Sequence, residues 1–274
     1  MTMLHAIILG IIQGITEFLP ISSSGHLVLV QSILPRFSAP GLVFDIILHA
    51  GTLVAVLFYY AQDITRFAKG IAGKLPPEEN RSVRSWLIAL AVATVPAGIV
   101  AASVGDIIES MFENPAMTSV FLGFTGLILF WGERMKSAHP DRSASEHRIP
   151  WRMALIIGLA QALALLPGIS RSGMTMAAGI ALGLPRETAT RFSFLLMIPA
   201  VAGAVALKSL EIPSLISTGT VGYSELAVGF VASAIAGYLA ITGLLRLIKK
   251  YTFNVFAVYC LIAGTASLLA LTAH

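Results

Sequence analysis

A polar stretch that interrupts an apolar segment occurs twice in this chain. The first copy runs from Gln13 to His26 and reads QGITEFLPISSSGH, and the second runs from Gln161 to Thr175 and reads QALALLPGISRSGMT. A shift of 148 positions aligns the two copies without a gap, and the alignment extends to Leu48 and Leu196. The repeat predicts one site built from two halves of the chain.

The composition places both stretches in a membrane. Of the 274 residues, 56% are hydrophobic and 12% are charged, whereas a soluble domain carries about 25% charged residues. The net charge of +4 comes from bases grouped in a few loops, so nucleic-acid binding is not expected. A single cysteine, Cys260, excludes a disulfide framework and a cysteine-based zinc site. Polar groups at membrane depth are costly and usually functional.

The lengths of the apolar segments predict an all-α polytopic fold. Each piece beside a polar stretch is shorter than the about 20 residues needed to cross a bilayer, and non-helical backbone at that depth must be buried in protein or line a cavity. We therefore expect two re-entrant helical hairpins, made of half-helices at 4–18, 24–34, 153–166 and 172–184. Six full spans are expected at 41–61, 86–105, 116–132, 192–210, 225–245 and 252–273, with Pro96 kinking the second.

The basic residues predict the orientation. They concentrate in the loops 62–85, 133–152, 185–191 and 246–250, which the positive-inside rule assigns to the cytoplasm. Both termini then lie outside, the first hairpin enters from the outside and the second from the cytoplasm. We expect a single membrane domain over 1–274, with inverted repeat halves at about 1–132 and 150–274. Such repeats share a site near the midplane.

The two polar stretches predict helix starts that bind an anion. Serine and glycine suit an N-cap, and exposed N–H groups at a helix start attract anions. Arg171 lies between two such serines and would bind phosphate with its planar fork. Helix capping and hydrogen bonds between helices are the alternative roles of the serines. The predicted phosphate contacts are Ser22, Ser24, Gly25, Ser170, Ser172 and Gly173.

Two further residues of the first copy have no polar mate in the second. Glu17 aligns with Leu165, and its carboxylate is predicted to be a metal ligand, a general base, a group that orients His26, or a salt-bridge partner of Arg171. His26 aligns with Met174 and would act as acid, base or nucleophile.

Several neighbouring residues are assigned supporting roles. Gln13 lies one helical turn before Glu17, faces the same pocket and is predicted to contact the diphosphate; its repeat mate Gln161 indicates a shared structural role as the alternative. Thr175 lies one turn beyond Arg171, within reach of a phosphate. Asp45 and His49 form an i, i+4 pair that would line the access path.

The two motifs resemble the signature regions of the bacterial undecaprenyl-diphosphate phosphatase family of the bacitracin-resistance type. The first family motif has Glu or Gln at the position of Gln13 and Glu at Glu17. The second, Pro-Gly-x-Ser-Arg-Ser-x-x-Thr, is matched from Pro167 to Thr175. Because Gln13 is the permitted variant, this chain keeps one carboxylate in the motif.

The resemblance implies hydrolysis of undecaprenyl diphosphate to the monophosphate and phosphate, which recycles the lipid carrier of wall synthesis. It also implies a site on the outer face of the plasma membrane and dependence on a divalent cation, Mg²⁺ or Ca²⁺, with Glu17 as the ligand that the motif offers. The expected partners are a polyprenyl diphosphate lipid and the bilayer, and a homodimer is kept open.

The mechanism that we expect places the diphosphate between the hairpins and the prenyl tail in lipid. Ser23 aligns with Arg171, so the two should face each other, and Ser23 would attack the terminal phosphorus. Glu17 or His26 would take its proton. Direct attack by water, or by His26, stays open. The rival hypothesis is a flippase for undecaprenyl phosphate, because inverted repeats with broken helices are also a transporter design.

Overall fold

The computed structural model describes residues 1–33, 42–138, 148–211, 213 and 221–272 of the chain. Parts of four predicted segments lie outside these residues: the end of the half-helix 24–34, the start of the span 41–61, the middle of the loop 133–152 and the end of the span 252–273. Every element found in the described part is a helix.

Eleven α-helices and one 3-10 turn follow one another along the described chain. They are α1 (Met3–Phe18), α2 (Ser23–Ile33), α3 (Leu42–Tyr59), α4 (Ala61–Ile71), α5 (Pro77–Met111), α6 (Pro115–Ala138), α7 (Trp151–Leu163), α8 (Arg171–Ala181), α9 (Arg186–Lys208), the 3-10 turn Ser209–Glu211, α10 (Tyr223–Lys250) and α11 (Asn254–Thr272).

Five of the helices are long and apolar enough to cross a membrane, namely α5, α6, α9, α10 and α11. A sixth candidate is the pair Val43–Tyr59 and Ala61–Ile71, which is bent by 72° between its two helices. The protein is therefore a multi-pass membrane protein with an all-helical fold, as the sequence predicts.

Several predicted loops are helical in the structure. The loop 62–85 contains most of α4 and the first turns of α5, and α9 already begins at Arg186 within the loop 185–191. A proline stands at the start of two of these helices, because its fixed φ favours a helix start. Pro77 is the first residue of α5, and Pro185 directly precedes α9. The apolar spans thus continue as polar helices, which a hydropathy pattern alone does not predict. The break in helical geometry within α5 lies at Val104 and not at Pro96.

The four predicted half-helices are present as α1, α2, α7 and α8. Helix α1 ends because Leu19 turns to extended backbone, and α8 begins at a cap in which Ser170 Oγ accepts from Gly173 N at 3.0 Å. Phe18 at the end of α1 packs edge-on against Phe194 of α9, with ring centroids 5.2 Å apart. This contact packs the end of α1, next to the first break, against α9.

Each short helix that precedes a break packs against a long helix of the other half. Helix α1 packs on α10, and α7 packs on α5. The approach is close in both places: a Cβ added at Gly10 would lie 2.5 Å from Gly229 O, and one added at Gly158 would lie 2.6 Å from Ala93 O. Gly10 and Gly158 are related by the same 148-residue shift. The repeat thus reappears in the packing, while the opposite orientation of the halves stays a prediction.

Candidate functional site at the two helix breaks

The carboxylate of Glu17 lies at the centre of a buried polar cluster. Arg171, the first residue of α8, forms an ion pair with its Oε1 atom. The Oε2 atom accepts hydrogen bonds from Ser23 Oγ at 2.5 Å and from Gln13 Nε2 at 3.0 Å. Because the Glu17 side chain is 4% exposed, these donors replace water around the charge. The fold therefore brings together polar residues from both copies of the repeated stretch.

The salt bridge with Arg171 confirms one of the four roles predicted for Glu17. The bond from Ser23 also fits the role of a general base, since the serine proton already points at the carboxylate. The contacts of Glu17 in the described structure do not include His26. An orienting role of Glu17 towards His26 therefore receives no support from this geometry.

The two helix starts are capped in the same way. Ser22 Oγ accepts from Gly25 N at 3.2 Å, and Ser170 Oγ accepts from Gly173 N at 3.0 Å. The first N–H groups of a helix have no intrahelical partner, and these caps engage the third of them in each case. The serine caps confirm the alternative role predicted for Ser22 and Ser170. The amides left for an anion are those of residues 23, 24, 171 and 172.

The remaining serines link the caps to one another. Ser24 Oγ lies 3.4 Å from Ser22 Oγ, and Ser172 Oγ lies 3.1 Å from Ser170 Oγ. Ser172 Oγ also donates to Leu19 O at 3.1 Å, across to the break of the first copy. The two breaks are therefore joined directly, which holds Arg171 against Glu17.

The hydroxyl of Thr175 is bonded to other protein groups and is buried. Its hydroxyl donates to Arg171 O at 2.8 Å and lies 2.6 Å from Ser193 Oγ of α9. The residue is 1% exposed. Its contacts support the backbone of Arg171, and direct contact with a phosphate stays a prediction.

His26 contacts α11 rather than Glu17 in the described structure. Its Nδ1 lies 2.7 Å from Ser22 O, and its Nε2 lies 2.7 Å from the hydroxyl of Tyr259. The two rings are nearly parallel, with an interplanar angle of 7°. The sequence did not indicate Tyr259, because it stands in an apolar run 233 residues from its partner.

His49, which the sequence predicts to line an access path, lies next to the polar cluster around Glu17. Its Nε2 lies 3.5 Å from Glu17 Oε2, and its Nδ1 lies 2.8 Å from Asp45 O. Thr125 of α6 is a second residue that the sequence did not indicate. It accepts from Ser170 N at 3.0 Å and donates to Gly168 O at 3.1 Å. Its only sequence signal is a hydroxyl within an apolar span.

The polar atoms beside Glu17 fit a divalent cation shared with a bound anion. In the described residues, no group of three or more His, Cys, Asp or Glu side chains could hold a metal by itself. Gln13 is fully buried, and its carbonyl oxygen Oε1 has no hydrogen-bond partner there. Protein-bound Mg²⁺ often takes one or two protein oxygens and completes its shell with phosphates and water. Gln13 and Glu17 are suited to supply those oxygens.

Comparison with known proteins identifies the family of the chain. The model of a family described as Bacitracin resistance protein BacA matches residues 6–266. The chain belongs to the BacA family. Membership confirms the resemblance that the two motifs predict, and the match spans both copies of the repeated stretch.

Curated relatives in the BacA family match over nearly their whole length. The undecaprenyl-diphosphatase of Syntrophotalea carbinolica is 43% identical over 264 residues, covering 96% of this chain and 97% of the relative. The undecaprenyl-diphosphatase of Methanosphaera stadtmanae is 41% identical and covers 97% of both chains. The undecaprenyl-diphosphatase 1 of Shouchella clausii is 42% identical, with 96% and 95% covered.

Proposed function

We propose that this protein is an undecaprenyl-diphosphatase. It hydrolyses undecaprenyl diphosphate to undecaprenyl phosphate and inorganic phosphate, and so recycles the carrier lipid of cell-wall synthesis and confers bacitracin resistance. The proposal is supported by the BacA family match and by the names of relatives about 40% identical. The structural observation that carries it is a serine hydroxyl bonded to a buried carboxylate that also pairs with an arginine. The flippase hypothesis receives no support from these relatives.

Ser23 is the proposed nucleophile. Its Oγ attacks the terminal phosphorus, its proton passes to Glu17 Oε2 along the 2.5 Å hydrogen bond, and undecaprenyl phosphate leaves. Water then attacks the phosphoserine and releases inorganic phosphate, and the proton returns from Glu17 to Ser23. Phosphoryl transfer depends mainly on positioning and charge stabilisation. Glu17 positions Ser23 and Arg171, and the positive charge of Arg171 supplies the stabilisation.

Arg171 is the proposed clamp for the transferred phosphoryl group. A guanidinium carries five N–H donors, and in the described structure Arg171 reaches Glu17 through one terminal nitrogen, Nη2. The Arg171 side chain is 19% exposed, so part of it remains accessible to a bound diphosphate. The free amides at residues 23, 24, 171 and 172 add partial positive charge at the two helix starts.

The cation is proposed to bind together with the diphosphate. Gln13 Oε1 and Glu17 would hold it, and Mg²⁺ or Ca²⁺ would neutralise part of the phosphate charge. The chain's own residues then hold the phosphate, take the serine proton and exclude water from the buried carboxylate. His26 is free of Glu17 and supplies a second acid–base group at the site.

The proposed setting follows from the charge distribution. The basic loops place the cytoplasm on the side of residues 246–250, so the first break opens to the outer face of the plasma membrane and both termini lie outside. A homodimer stays a prediction.

Phosphate release by purified protein in detergent tests the function. Undecaprenyl or farnesyl diphosphate is the substrate, and the wild type is compared with Glu17→Ala, Ser23→Ala, His26→Ala and Arg171→Ala. We expect each variant to lose at least about 100-fold in rate, the scale usual for acid–base and charge-stabilising groups. Ser267→Ala is the matched control, because in the described structure that hydroxyl donates to Ala263 O of its own helix. Near-normal release by Arg171→Ala would refute the clamp.

The nucleophile is tested by trapping the intermediate. Substrate labelled at the terminal phosphate is mixed with excess enzyme and quenched in acid, and the label is located by mass spectrometry. Phosphoserine at residue 23 is the expected result. Label on His26, or no label during rapid turnover, would assign the attack to the histidine or to water and refute the role of Ser23.

A further inference from the structure

Both ring nitrogens of His26 have hydrogen-bond partners, and the donor or acceptor role of each partner can be assigned. The partner of Nδ1 is the carbonyl oxygen of Ser22, which can only accept, so Nδ1 carries a proton. In a neutral imidazole the other nitrogen is then an acceptor. The Tyr259 hydroxyl, 2.7 Å from Nε2, must be the donor. The pair of contacts therefore selects one tautomer of the histidine.

The contact is also unlike an incidental packing of two side chains. Tyr259 comes from α11 and His26 from the first turn of α2, so the bond joins elements from opposite ends of the chain. The centroids of the two rings are 5.7 Å apart and the rings are inclined by 7°. The parallel rings and the 2.7 Å distance from the hydroxyl to Nε2 make one contact that combines ring stacking with a hydrogen bond.

The backbone at Ser22, which accepts the hydrogen bond of His26, is strained, whereas the backbone at its repeat mate Ser170 is not. Ser22 has φ of +67°, and it is the non-glycine residue with positive φ in the described part of the chain. Ser170, at the same place in the second copy, has φ of −73°. Strain of this kind persists at functional sites because the surrounding contacts hold it. The first copy carries the histidine and the second carries Met174, so the strain accompanies the fixed imidazole.

We propose that Tyr259 is a positioning residue for His26 in the phosphatase reaction. Its hydroxyl keeps the proton of the imidazole on Nδ1 and holds Nε2 as the basic nitrogen at the site. The inference rests on the proposed function, which gives His26 an acid–base role. It adds a residue that lies outside both repeated stretches.

The test removes the hydroxyl and keeps the ring. Tyr259→Phe is compared with Tyr259→Ala and with the control Tyr238→Phe, which is a tyrosine of similar exposure, 46% against 43%, whose ring contacts Tyr59 instead. A neutral hydrogen bond is worth about 3- to 10-fold in an equilibrium. We expect kcat of Tyr259→Phe to fall by about 3- to 10-fold with KM unchanged, and the control to match the wild type.

The tautomer is read directly by nitrogen NMR. Protein labelled with ¹⁵N-histidine is compared with a His26→Gln variant to assign the ring resonances of His26. The wild type should show a protonated Nδ1 and a hydrogen-bonded, unprotonated Nε2, and Tyr259→Phe should shift the Nε2 resonance towards a free lone pair.

Two results would overturn the proposal. One is an unchanged ¹⁵N spectrum and an unchanged kcat in Tyr259→Phe. The other is a loss of activity in Tyr259→Ala alone, which would mean that only the packing of the ring matters. Absence of phosphate release by the wild type would instead refute the proposed function, since the spectrum reports the Tyr259 hydroxyl without turnover.

Discussion

Replacing Arg171 by methionine removes the positive charge beside the Glu17 carboxylate and keeps most of the length of the side chain. Glu17 would remain buried, with 4% of its side chain exposed, and would keep the hydrogen bonds from Ser23 and Gln13 and its neighbour His49, whose Nε2 lies 3.5 Å from Oε2. Removing one partner of a buried ion pair costs about 3–5 kcal/mol, because it leaves an uncompensated charge. These remaining neighbours place Arg171→Met near the lower end, about 3 kcal/mol.

A second substitution separates stability from catalysis. Glu17→Gln in the Arg171→Met background removes the uncompensated charge and keeps the shape of the side chain. We expect the double variant to regain at least about 2 kcal/mol of the lost stability. Its rate should stay at least about 100-fold below the wild type, since both the base and the clamp are missing.

Titration of the detergent-solubilised protein with denaturant measures the free energy of unfolding. Phosphate release measures the catalytic rate. Arg81→Met is the control, because Arg81 pairs with Glu78 at the surface, where the two side chains are 59% and 83% exposed. Such pairs contribute about 0–1 kcal/mol. A double variant no more stable than Arg171→Met would refute the argument that an uncompensated Glu17 charge causes the loss.

Three further outcomes are expected. Gly158→Ala should lower the free energy of unfolding by about 1–3 kcal/mol, because its Cβ would lie 2.6 Å from Ala93 O. Gly98→Ala is the control: its Cβ would meet no atom within 4 Å, so the same denaturant titration should show no destabilisation. Glu133→Gln should cost about 2–4 kcal/mol, because this buried carboxylate binds Arg186 through two hydrogen bonds of 2.7 and 2.6 Å; a cost equal to that of the exposed Glu78→Gln would contradict the estimate from burial. EDTA should abolish phosphate release and Mg²⁺ or Ca²⁺ should restore it, while full activity in EDTA would refute the cation.

The positions of the helix breaks could be predicted because they depend on local chemistry. The half-helices predicted at 4–18 and 172–184 are Met3–Phe18 and Arg171–Ala181 in the structure. Serines that cap a helix and prolines or glycines that end one act within a few residues. The repeated stretch therefore indicated the broken helices, and the pairing of Glu17 with Arg171 was among its stated alternatives.

Contacts between distant residues could not be predicted in the same way. Tyr259 and Thr125 stand in apolar runs whose pattern says only that they are helical. Their partners, His26 and Ser170, are fixed by how whole helices pack. The bend after Tyr59 escaped prediction for a related reason, since the polar helix that follows it carries no span-length apolar pattern.

The packing of α1 on α10 has a consequence for biosynthesis. Helix α1 is synthesised before the other described helices, and its partner, Tyr223–Lys250, is the second-last of them. Glu17 is synthesised 154 residues before Arg171, the cation that neutralises it. Until then the carboxylate and the serines of the first break have no partners from the second half. The Glu17–Arg171 pair can therefore form only after both copies of the repeated stretch have been synthesised, so the site is assembled after translation of the first half of the repeat is complete.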